Sequence, residues 1–299
     1  MIFAAEEFGM IGDIGIHGSY WTLASGTAPL IQEVCSHDIR ERIESAARAG
    51  YTGMGFWHSD LEVLRETIGF AELKRLLDAH GIRHVEVEWL NDWYCTDERR
   101  RASDRNRALL LEAAEALGAN HIKIADLGND GVPLDRMTAE FAKLCDEAAE
   151  RGTRILFEML PADFSALPSL DLVLSLTRGA GARNGGIMLD NLHMLRTGTS
   201  NADIAAKLSR DDVIGVEIND GALARPVNFM DSIINRRLLP GDGEFDIAGF
   251  LQAVWSLGYD GWIGVEVINE YFREWPLAAM AEVSFAKTSK VVADALHAG

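Results

Sequence analysis

The chain is poor in cysteine, in positive charge and in long apolar runs. Its three cysteines, Cys35, Cys95 and Cys145, are odd in number, far apart and in no C-x-x-C pattern. They read as reduced thiols of a cytoplasmic protein. Lys and Arg total 28 against 46 Asp and Glu, a net charge of -18. That excludes the basic stripe that a nucleic-acid or anionic-membrane surface requires. Part of the acidic surplus is expected to face a bound cation. No run approaches the roughly 18 apolar residues of a membrane span, and Met1 to Glu7 lack the basic and apolar regions of a secretory signal. A dinucleotide fingerprint is missing too. The Gly-rich stretch 179–186 follows a helix pattern and precedes a strand pattern, the reverse of the required order.

What the chain has is a repeated grammar. Its 299 residues are 48% apolar and 25% charged, enough for a sizeable core. The length permits two average domains or one barrel. Short apolar runs at 13–17, 53–57, 85–89 and 121–124 alternate with helical spacing. Asp38 is placed to cap the first main helix and Gly50 to stop it. A long charged helix is expected from about Asp97 to Leu117, and Pro133 opens another. Strand then helix, eight times without a composition break, predicts a single (β/α)8 barrel over 1–299. Residues 221 to about 245 read as a long irregular connection after the seventh strand. That length favours a lid or an interface.

The last four strands each close on an acid. Ile155-Leu156-Phe157 runs into Glu158, and Ile187-Met188-Leu189 into Asp190. Val213 to Val216 runs into Glu217, and Ile263-Gly264-Val265 into Glu266. Glu158 and Asp190 are 32 residues apart and Asp190 and Glu217 are 27 apart, each one βα unit. A barrel collects such strand ends at one mouth. Any one of these acids alone would read as half of a rim salt bridge. Four together repel each other, and a divalent cation relieves that. Oxygen ligands favour Mn²⁺ or Mg²⁺ over Zn²⁺. His193, in the loop expected after Asp190, is placed to hydrogen-bond a substrate oxygen. His17, Trp57, His58, Glu88 and Lys123, on or just after the first four strands, are weaker substrate-contact candidates. So are Arg225 and Arg237 in the long connection.

Phe157-Glu158, the run Leu189 to His193, Ile214 to Asp220, Pro240-Gly241-Asp242-Gly243 and Gly258 to Glu266 together resemble the sugar isomerase/epimerase superfamily. These are xylose-isomerase-like barrels that include ketose 3-epimerases, hydroxypyruvate isomerase, inosose dehydratase and endonuclease IV. The resemblance implies that Glu158 and Glu266 bind the metal and exchange the substrate proton, that Asp190 is a ligand and that His193 contacts substrate. The strand-seven ligand is usually a histidine in the epimerases, where this chain has Glu217. That substitution resembles the all-carboxylate site of xylose isomerase. The leading expectation is a metal-dependent isomerase or epimerase acting on a sugar-like hydroxy-carbonyl compound through an enediolate. The second is a metal-dependent lyase acting on a keto-sugar or keto-inositol, and the third a non-catalytic sugar-binding barrel. The partner implied is a small carbohydrate-like molecule, with a homo-oligomer left open.

Overall fold

The computed structural model describes residues 14–128 and 131–298. Asp13 and the segment Met1 to Glu7 lie outside them. The strands are β1 (Ile16–Gly18), β2 (Gly53–Trp57), β3 (His84–Leu90), β4 (His121–Ala125), β5 (Ile155–Glu158), β6 (Gly185–Asp190), β7 (Val213–Ile218) and β8 (Ile263–Val265). All pair in parallel and in sequence order, and β1 pairs with both β2 and β8, closing the expected barrel. The helices are α1 (Tyr20–Leu23), α2 (Ile39–Ala49), α3 (His58–Thr67), α4 (Phe70–Ala79), α5 (Glu98–Leu117), α6 (Leu134–Glu150), α7 (Leu170–Gly179), α8 (Asn191–Arg196), α9 (Asn201–Lys207), α10 (Phe229–Ile234), α11 (Ile247–Ser256) and α12 (Leu277–His297).

Two-residue alternation decides what faces the axis. Val85, Val87, Ile122, Ile124, Ile155, Phe157, Ile187, Leu189 and Val216 join the large core shared with the helices. The alternate positions carry Glu86 and Glu88 on β3, His121 and Lys123 on β4, Glu158 on β5, Asp190 on β6 and Glu217 on β7, all buried. Leu156 and Met188 form a separate apolar plug with Ile214. Gly215 faces that plug: a Cβ there would lie 2.5 Å from Leu156 Cδ1.

The cap signals hold. The Asp38 carboxylate accepts from Arg40 N and the Asp97 carboxylate from Arg99 N, while Gly50 and Gly118 end their helices in the left-handed conformation. Three expectations change. The helical region after β2 is divided at Gly69, whose φ of 75° breaks the helix. The stretch 221–245 is not wholly irregular, because Phe229 and Ile233 of α10 pack on Leu192 and Asn228 caps that helix. His193 lies on α8 rather than in a loop, because the Asp190 side chain starts that helix at once.

The chain between α1 and α2 is anchored by a buried ion pair. Arg42 Nη1 donates to Asp60 Oδ2 at 2.7 Å, and Asp60 Oδ1 accepts from Cys35 N at 3.1 Å. Arg42→Met would leave the Asp60 charge without its counter-ion, so a loss of about 3–5 kcal/mol is expected in urea unfolding. A loss under ~1 kcal/mol would show that the pair anchors nothing. The thiols carry a second prediction. Cys35, Cys95 and Cys145 are all buried. Burial raises all three thiol pKa values, Cys95 to about 11 and Cys145 to about 12. At pH 8 the folded chain should not react with a disulfide reagent, whereas the urea-unfolded chain should titrate three thiols. Fast labelling of the native protein would contradict this packing.

Candidate metal and substrate site at the barrel mouth

Glu158 and Asp190 end β5 and β6, Glu217 pairs with Asp190 across β7, and Glu266 directly follows β8. None is more than 4% exposed. One oxygen from each of the four lies within 4.8 Å of the others.

Their surroundings differ. The Asp190 Oδ1 atom accepts from Leu192 N at 2.7 Å and His193 N at 3.2 Å, and Asn219 Nδ2 lies 3.3 and 3.2 Å from the two carboxylate oxygens. Arg237 reaches in from the loop after α10, donating from Nη1 to Glu266 Oε2 at 2.6 Å and to Asp190 Oδ2 at 3.2 Å. Its Nε donates to Ile233 O at 2.9 Å, so α10 aims it. Lys123 Nζ sits 2.9 Å from both Glu217 oxygens, 3.2 Å from Glu266 Oε1 and 3.0 Å from Glu88 Oε2. Glu158 stands apart. Its Oε1 has no hydrogen-bond partner among the described residues and lies 3.5 Å from His193 Nε2.

The electrostatics follow from these contacts. Burial pushes the Glu158 carboxyl well above the usual range; Lys123 opposes this, and the charges of Glu266, Glu217 and Asp190 add to it. For Glu266 burial also pushes upward, but Lys123 and Arg237 outweigh it and the pKa falls. Burial raises Glu217 to about 7 and lowers His193 to about 4, leaving a neutral imidazole. Six carboxylates, Glu86, Glu88, Glu158, Asp190, Glu217 and Glu266, are buried among the described residues of the barrel interior with Lys123, Arg237 and His17, whose pKa burial lowers but Glu217 and Glu86 raise to about 9. The excess negative charge and the unpartnered Glu158 oxygen fit a divalent cation among the mouth carboxylates.

The weaker candidates divide. Arg237 joins the acids, but Arg225 does not. Half exposed, it donates to Asp163 Oδ2 at 2.6 Å and lies over the Phe229 ring at 4.0 Å. Lys123 and Glu88 bind each other beneath the mouth, and His17 is buried 3.7 Å from Glu86 and Glu217. Trp57 lines the rim, stacked on Trp89 with ring centroids 6.0 Å apart and beside His58 at 5.1 Å. Trp89, Glu86, His121 and Asn219 escaped the sequence reading. The period-two run His84, Glu86, Glu88, in a strand otherwise apolar, was the signal that could have found the barrel interior.

The chain belongs to the xylose isomerase-like TIM barrel family, whose pattern matches residues 43–289. It is 27% identical over 249 residues to a 3-dehydroshikimate dehydratase of Pseudomonas aeruginosa, covering 82% of this chain and 38% of that protein. It is 24% identical to the rhizopine catabolism protein MocC of Rhizobium meliloti, covering 69% of each. The chain spans only 38% of the length of the dehydratases it matches. The fold is shared with the IolI protein solved with a zinc atom, at 16% identity and a TM-score of 0.77 over 95% of this chain and 98% of that one. It is also shared with a D-allulose 3-epimerase from Methylomonas sp. in complex with D-allulose, at 20% identity and a TM-score of 0.68 over 94% and 96%. Among the described residues no helix is long and apolar enough to cross a membrane.

Proposed function

We propose that the chain is a divalent-metal-dependent lyase that removes water from a sugar-like β-hydroxy ketone. The observation that carries this reading is an asymmetry among the mouth acids. Glu158 has an oxygen without a hydrogen-bond partner among the described residues and a raised pKa, whereas Glu266 is held as a carboxylate by Arg237 and Lys123. Two-base epimerisation, the leading expectation from the sequence, needs each glutamate to release and take up a proton in turn, and Glu266, with one oxygen on Arg237 and the other on Lys123, is fixed in its ionised state. Elimination needs only one such glutamate.

Glu158, Asp190, Glu217 and Glu266 would hold the ion, with Mn²⁺ or Mg²⁺ favoured by oxygen ligation. It supplies stabilisation of the negative charge that develops on the substrate carbonyl oxygen. Glu158 takes the proton from the carbon next to the carbonyl. The same carboxyl then hands that proton to the departing β-hydroxyl, so the C–O bond breaks, a C=C bond forms and water leaves. A raised carboxyl pKa makes the carboxylate form a stronger base, and the positive charge of a bound cation would keep that form available. Neutral His193 hydrogen-bonds the substrate or orients Glu158. Arg237, Lys123 and Asn219 hold the other acids in place.

The names of the dehydratase relatives make 3-dehydroshikimate the first compound to test. Mass spectrometry should show a product lighter by one water. A product of unchanged mass with an inverted C–H centre would replace this reading with epimerisation, the function suggested by the allulose epimerase likeness.

A further inference from the structure

Below the mouth, a second set of donors converges inside the barrel. His17 on β1 and Glu217 on β7 sit at one height, because both register with Gly264 of β8 between them. A Cβ on Gly264 would lie 2.4 Å from His17 Cε1 and 2.7 Å from Glu217 Cγ, so glycine is what lets these two side chains approach. Glu86 of β3 faces them. The His17 Nε2 atom is 3.7 Å from Glu86 Oε1 and 3.7 Å from Glu217 Oε1. Those gaps are too long for hydrogen bonds. They approach the ~3.4 Å between two donors that each lie ~2.1 Å from a tetrahedral ion.

Two of the three groups facing the gap have atoms without a hydrogen bond; Glu217 Oε1 accepts from Lys123 Nζ at 2.9 Å and Glu86 Oε1 lies 3.4 Å from that nitrogen, so an ion here would push the ammonium aside. Neither ring nitrogen of His17 and not Glu86 Oε1 has a hydrogen-bond partner among the described residues, although both side chains are 2% exposed or less. A supporting ring is already built. His121 Nε2 lies 2.6 Å from Glu86 Oε2, and Lys123 Nζ also holds Glu217 Oε2. Such outer contacts are what orient metal-binding carboxylates.

We infer that His17, Glu86 and Glu217 form a second divalent-cation site inside the barrel, of the mixed nitrogen and oxygen type that zinc prefers. Glu217 faces both this site and the mouth, but His17 and Glu86 belong to this site alone, so the inference does not rest on the lyase reading.

The probe is Co²⁺, added to chelator-stripped protein and followed by equilibrium dialysis and visible absorption. The parent should bind two ions per chain, one giving the intense bands of low-coordinate Co²⁺. His17→Gln and Glu86→Gln should each bind one and lose those bands. If the parent binds a single ion and His17→Gln leaves stoichiometry and spectrum unchanged, the cluster holds only a proton or water and the inference fails. Should the variants not fold, anomalous scattering from a Co²⁺-soaked parent crystal decides: a peak bonded to His17 Nε2 supports the site, and none there overturns it. An ion at His17 with none at the mouth would uphold this inference and sink the lyase reading instead. No ion at either place would sink both.

Discussion

Glu158→Gln is expected to lower turnover by about 10²–10⁴-fold, the usual worth of a general base, with the bound divalent ion retained. The amide oxygen can still approach a cation but cannot take a proton. The effect should fall on kcat, because the carboxylate acts on the reacting C–H bond rather than on substrate capture. Glu266→Gln is expected to behave differently. Arg237 Nη1 and Lys123 Nζ already hold Glu266 as an anion, so its loss should appear mainly as weaker ion binding. Steady-state kinetics together with elemental analysis separate the two. A Glu158→Gln variant that turns over at the parent rate would remove Glu158 from the chemistry.

Lys123→Met should have the largest effect on stability. Lys123 Nζ lies within 3.4 Å of Glu86, Glu88, Glu217 and Glu266, and the lysine is fully buried. Removing one partner of a buried ion pair costs about 3–5 kcal/mol, and here four carboxylates lose the same counter-charge. Against a typical total of about 5–15 kcal/mol, much of the variant would be unfolded. The pH dependence has a definite sign. Burial raises Glu217 to about 7 and Glu88 to about 8 even with the lysine in place. A carboxyl whose folded pKa lies above its unfolded value of 4.5 contributes stability below 4.5 that is lost as pH rises through the folded value. The Lys123→Met deficit should therefore be smallest in mild acid and grow through pH 7 and 8. Urea midpoints measured across that range would show it, and a deficit independent of pH would contradict the assignment of these charges.

The barrel and its four mouth acids were legible because each rests on local pattern. Apolar runs of three or four residues mark the strands, and an acid closes each of the last four. The interior network was not legible in this way. Lys123 and Glu217 are 94 residues apart in sequence, and nothing local shows that a lysine within Ile122-Lys123-Ile124 points into a ring of glutamates. Arg225 and Arg237 looked equivalent in a polar stretch. They part company because the Ile233 carbonyl of α10 turns Arg237 inward, and α10 was itself hidden by the polar residues around Phe229 and Ile233. Asp190 was recognised as a strand end but not as the cap of α8, which moved His193 from a loop to a helix. The difference between Glu158 and Glu266, on which the choice of elimination over epimerisation rests, comes from their partners and cannot be read from two similar strand endings.

The central claim is that a divalent ion among the mouth carboxylates makes the substrate C–H bond acidic enough for Glu158 to take its proton. Proton NMR of a β-hydroxy ketone substrate in D₂O tests it, with protein that has been stripped by a chelator and then resupplied with Mn²⁺ in substoichiometric amounts. The account predicts neither deuterium exchange next to the carbonyl nor water loss by the stripped protein, and recovery of at least one of them in proportion to the Mn²⁺ returned. Exchange at the full rate by the stripped protein would contradict it.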